Sequence, residues 1–120
     1  MIEIKDFLGK ELMSSVRDSS ISRFQNILNG KLKSKEAIEL TSELEKLNES
    51  QRAFIEKIVI KTVDNVMFNF LNMLEENEDT ISLVLTDEKG NKSNVVELSD
   101  GLSGELFTED GWISKFSNYS

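Results

Sequence analysis

The segment from Ala53 to Leu74 constrains this fold more than any other. Its apolar residues are Ala53, Phe54, Ile55, Ile58, Val59, Ile60, Val63, Val66, Met67, Phe68, Phe70, Leu71, Met73 and Leu74. They fit helical spacing but cover more than one face. A helix apolar nearly all round must be covered by other elements or by another chain. Asn48-Glu49-Ser50-Gln51 marks its start, because Gln at the N3 position completes a capping box. Glu75-Glu76-Asn77-Glu78-Asp79 marks its end, where the macrodipole disfavours acids. The spacing predicts a long buried core helix over about 49–76. The rival use of such a helix is a homodimer seam. The neighbouring helices carry one apolar stripe each and need a surface to cover, which favours an internal core.

This stretch is not a membrane span. Glu56, Lys57, Lys61 and Asp64 interrupt it, and each charge at a bilayer centre costs about 2.5–3.5 kcal/mol. The start, Met1-Ile2-Glu3-Ile4-Lys5-Asp6, carries acids where a secretory signal has a cationic region. The expectation is a cytoplasmic protein of one domain over residues 1–120.

Three shorter helices are expected before the long one. Ile4, Phe7, Leu8, Leu12 and Val16 share a face of the first. Asp18-Ser19-Ser20 then reads as a break with caps for a second helix, which carries Ile21, Phe24, Ile27 and Leu28. Asn29-Gly30 is a stop signal. After a short basic linker, Ser34 can cap a third helix with Ile38, Leu40, Thr41, Leu44 and Leu47. Lys31, Lys33 and Lys35 in that linker read as a solvated loop.

Beyond residue 80 the period changes. Thr80-Ile81-Ser82-Leu83-Val84-Leu85-Thr86 and Asn94-Val95-Val96-Glu97-Leu98 read as strands around a turn with Gly90-Asn91 at its tip. Thr108 with Glu109 and Asp110 reads as the start of a last helix through Phe116. The fold class is therefore α+β: four N-terminal helices, an antiparallel β-hairpin over about 80–98, and a short C-terminal helix.

The chemistry open to this chain is narrow. It has no His, Cys or Pro. That removes the usual catalytic triad, imidazole and thiolate metal ligands, and disulfides. Its formal net charge of −8 is unevenly spread. Residues 1–60 hold 10 basic and 10 acidic side chains, whereas residues 61–120 hold 4 basic and 12 acidic. Direct nucleic-acid binding is disfavoured, because phosphates need a basic face. A basic protein would be steered toward the second half.

Leu47-Asn48-Glu49-Ser50-Gln51-Arg52 and the tail Asp100-Gly101-Leu102, Glu105-Leu106, Glu109-Asp110-Gly111-Trp112-Ile113 resemble a group of small uncharacterised bacterial proteins. The resemblance covers roughly residues 47–117. It implies a bacterial origin and brings no activity.

The acids at 75–79 could meet a hard cation, but they match no known loop and read as a solvated helix end. Asp87-Glu88-Lys89-Gly90-Asn91 is explained by a hairpin turn. Gly101 and Gly104 lack the Lys-Ser/Thr ending of a phosphate loop. Trp112, Phe116 and Tyr119, at spacings of 4 and 3, would share a helical face, either sealing the core or anchoring a partner. The expected function is a non-enzymatic acidic protein-binding module, in one form an immunity or inhibitor protein for a basic partner. Its expected contact residues are Glu97, Asp100, Glu105, Glu109, Asp110, Trp112 and Tyr119, with no metal or cofactor. The alternatives are a small carboxylate- or metal-dependent hydrolase and a structural homodimer.

Overall fold

Asn48 and Gln51 form a full capping box. The Gln51 N–H donates to Asn48 Oδ1 at 2.9 Å, and the Asn48 N–H donates to Gln51 Oε1 at 3.0 Å. The helix that follows runs Glu49–Glu76, the span its sequence predicts. The computed structural model describes residues 2–120. In chain order the elements are α1 (Ile4–Glu11), a π-helical segment (Leu12–Asp18), α2 (Ser19–Leu28), α3 (Lys35–Glu45), α4 (Glu49–Glu76), β1 (Val84–Thr86), β2 (Lys92–Asn94), two 3-10 turns (Val95–Leu98 and Ser103–Leu106) and α5 (Trp112–Phe116). The architecture is α+β, with a long central helix, a two-stranded antiparallel hairpin and a short C-terminal helix.

Asp18-Ser19-Ser20 does not break the first helix. Asp18 keeps helical dihedrals and its side chain caps nothing locally. The chain instead widens through the π turn, each turn of which takes one residue more than an α turn. This rotates the side chains beyond it. The face expected from Ile4, Phe7, Leu8, Leu12 and Val16 is only partly used. Phe7 and Val16 are exposed, and the buried line is Gly9, Met13 and Arg17, with Asp18 beside it.

The core lies at one end of the molecule. Met13, Met67, Leu71, Leu74, Val95, Leu102, Leu106 and Trp112 form a single buried cluster. Trp112 lies so close over Gly9 that a Cβ there would come within 2.4 Å of its indole nitrogen. Only glycine lets the ring sit against the α1 backbone. At the other end α2, α3 and the first half of α4 bury only Ile21, Ala37 and Thr41. The Cα radius of gyration is 17.2 Å, against about 13.6 Å for a compact chain of this length. The molecule measures 51 × 31 × 25 Å.

Three expected boundaries shift. The hairpin pairs only Val84 with Asn94, Leu85 with Ser93 and Thr86 with Lys92. Thr80–Leu83 is not strand, and Val95–Leu98, read as strand, is a 3-10 turn. Asn94 causes the change: its Oδ1 accepts from the Val96 N–H at 3.2 Å, a cap that starts the turn. The last helix begins at Trp112 rather than Thr108. Gly111 passes so near the carbonyls of Glu105 and Leu106 that a Cβ would lie 2.8 Å from each, which keeps Thr108–Gly111 as a turn. The helix ends at Phe116, where the sequence puts its end, so Tyr119 does not continue the face of Trp112 and Phe116.

Candidate interaction surface

The tail is fixed to the helices by a buried polar knot. Arg17 is 1% exposed, yet each of its guanidinium nitrogens has a partner. Nε donates to Asp64 Oδ1 at 2.7 Å and Nη2 to Asp64 Oδ2 at 3.3 Å. Nη1 donates to Ser117 Oγ at 2.7 Å and to the Tyr119 carbonyl. The planar fork of arginine suits this two-toothed grip on a carboxylate. Next to it, Asp18 Oδ1 accepts from Ser117 Oγ at 2.5 Å, and Oδ2 accepts from the Asn118 N–H at 3.0 Å. One turn of the π segment thus holds α4 and residues 117–119 together. No buried polar side-chain atom among the described residues lacks a partner.

A second tie holds the loop before α5. Glu105 Oε1 accepts from Lys5 Nζ at 3.3 Å and from Ser99 Oγ at 3.0 Å. Glu75 Oε1 accepts from the Ser103 N–H at 2.7 Å and starts the second 3-10 turn. On the other side of α1, Asp6 accepts from the Trp112 indole at 3.4 Å and from Lys115 at 3.5 Å.

These contacts sort the residues expected to meet a partner. Glu97, Asp100, Glu109 and Asp110 are exposed and belong to no ion pair among the described residues. Glu105 is half-buried and committed to Lys5 and Ser99. Tyr119 is half-buried and contributes its carbonyl to Arg17. Trp112 is fully buried, so it seals the core and presents nothing to a partner. The structure therefore separates the expected set: the four free acids lie along residues 97–110, while Trp112 packs in the core and Tyr119 is tied to Arg17 through its carbonyl. The exposed acids continue with Glu76, Glu78, Asp79 and Glu88, likewise outside any ion pair among the described residues. Glu75 is not part of a free acidic cluster, contrary to its reading as a solvated helix end.

Among the described residues no three acidic side chains gather closely enough to hold a metal ion. The groove beside Arg17 has a volume of about 450 Å³, and its two carboxylates are Glu56 and Asp64. Asp64 is already held by Arg17. Among the described residues no helix is long and apolar enough to cross a membrane. No family model, curated protein or solved structure matches the chain.

The sequence reading gives Arg17 no role and takes Asp18 only as part of a helix break and cap. The available signal was Arg17 itself, standing between Met13 and Ile21 at steps of four.

Proposed function

We propose that this chain is a non-enzymatic, cytoplasmic binding module of bacterial origin that engages a basic protein partner through the acidic loops of its second half. Its most concrete form is an immunity or inhibitor protein that presents carboxylates where a nucleic-acid phosphate would otherwise lie. The observation that carries this reading is the set of free, exposed acids Glu97, Asp100, Glu109 and Asp110. They sit on loops anchored by Glu105–Lys5 and Glu75–Ser103, so the carboxylates are displayed on a fixed frame. Unpaired charge on a rigid frame favours fast, salt-sensitive association with an oppositely charged surface.

The test is affinity capture from bacterial lysate with the immobilised chain at low and raised salt, beside a variant carrying E97Q, D100N, E109Q and D110N. A captured basic protein that salt releases, and that the variant fails to hold, is the expected result. Capture indifferent to both salt and these substitutions would contradict the reading.

A further inference from the structure

From Thr62 to Met73 the outer face of α4 carries no exposed charge. Between Thr62 and Met73 its exposed residues are Thr62, Asn65, Val66, Asn69, Phe70 and Met73. Charged residues make up 30% of the chain, yet none appears here. Depletion of charge with enrichment of aromatic residues and Met marks the core of protein interfaces. The apolar residues of this face, Val59, Val63, Val66, Phe70 and Met73, follow steps of 4, 3, 4 and 3. That spacing is the seam of one helix against another.

We propose that this face docks a second copy of the chain, with the two α4 helices antiparallel about a two-fold axis near Val66. Three observations select that occupant. First, a chain of net charge −8 repels its own copies, and this is a face on which they can meet with no like charges in the contact. A basic partner would find no carboxylate on it. The rim amides of Asn65 and Asn69 each donate and accept, so the rim is complementary to itself, as a two-fold contact requires.

Second, the charge along α4 selects the antiparallel sense. Lys57 and Lys61 lie toward its start, and Glu75, Glu76, Glu78 and Asp79 lie at or just past its end. A parallel pair would set the acidic ends side by side. An antiparallel pair separates them by about 30 Å, well beyond the screening length of about 8 Å at physiological salt. The axis near Val66 then sets Val59 against Met73 and Thr62 against Phe70 of the copy.

Third, the exposed area fits a weak, reversible pair. Val66 is 62% exposed, and Phe70 and Met73 are 43% and 36% exposed. With about 150–250 Å² for a whole aromatic side chain, these three expose on the order of 200–300 Å² of apolar surface per copy. With the exposed Thr62, Asn65 and Asn69 rims, two copies bury an area at the low end of protein interfaces, below about 1,200 Å².

Sedimentation equilibrium over about 1 μM to 1 mM tests this, the range in which a moderate dimer dissociates. The expected result is a monomer–dimer equilibrium for the native chain, weakened at least about 30-fold in Val66→Glu, the scale of losing a central interface residue. Val66 is too exposed to matter for folding, so the far-ultraviolet dichroism and melting of the variant should match the native chain at low concentration. The chain has no Cys, which makes cross-linking clean. Oxidised V66C should form a symmetric disulfide dimer, and V59C mixed with M73C should form a mixed one, while V59C alone should not. A monomer throughout the range would overturn the proposal, as would a V66E dimer of native strength. A monomer that binds an amphipathic peptide through Val66 would overturn the second copy as occupant. Self-linking of V59C would overturn the antiparallel arrangement.

Discussion

The two ends of this molecule are built to different standards. At one end, α1, the π segment, the second half of α4 and the tail close around Trp112, Leu71, Leu102, Leu106 and Val95, each with no exposed surface. At the other, α2, α3 and the first half of α4 meet along an open groove of about 450 Å³ lined by Phe24, Ile27, Leu40, Leu44, Leu47 and Ile55. The residues of the second end are as apolar as those of the first. The first end has the tail, which supplies a third layer and the buried polar ties. The second has two layers of helix and nothing over them, so Ile38, Leu40, Phe54 and Ile58 remain exposed. A helical stripe gains its full free energy only when both sides of it are covered.

Breaking the closed end should have the largest effect. Trp112→Ala removes the ring that fills the space over Gly9 and should cost about 3–5 kcal/mol, a large share of the roughly 5–15 kcal/mol available to a domain. Urea unfolding reads this as a fall in midpoint with an unchanged slope. Arg17→Ala comes next. It leaves Asp64 without its cation, and Ser117 and the Tyr119 carbonyl without their donor, and should cost about 3–5 kcal/mol. The double variant Arg17→Met/Asp64→Leu should recover much of that loss, because an apolar pair is not stranded as a lone carboxylate is. A double variant no more stable than Arg17→Ala would mean that the tail bonds of Arg17, not the ion pair, hold the knot.

The open end should be less sensitive. Leu44→Ala, at a half-buried position in the groove, should cost about 1 kcal/mol. The same substitution at fully buried Leu71 should cost about 2–5 kcal/mol. Equal losses at the two sites, measured by urea unfolding, would erase the distinction between the ends.

What the sequence disclosed follows the range of the interactions involved. The bounds of α4 and the start of α3 were legible because their caps are local. Asn48 and Gln51 are three residues apart, and Ser34 accepts the Ala37 N–H. Gly30 stops α2 with a φ of +71°, a conformation glycine adopts without penalty. What was not legible depends on partners far along the chain. Asp18 looks like a helix cap until Ser117 and Asn118 are placed beside it. Val95 and Val96 look like strand residues until the Asn94 cap and the core beneath Val95 turn them. The candidate surface was half legible. Composition located the free acids, but the commitment of Glu105 and the burial of Trp112 come from contacts with α1, about a hundred residues away in sequence.

Native-state hydrogen exchange on dilute protein tests the contrast between the ends most directly. Amides of Leu12–Ile21 and of 67–74 should exchange only through global unfolding, while those of α3, Lys35–Glu45, should open locally at a clearly lower free energy. Protection of α3 equal to that of the 67–74 stretch, with the same dependence on denaturant, would contradict the account.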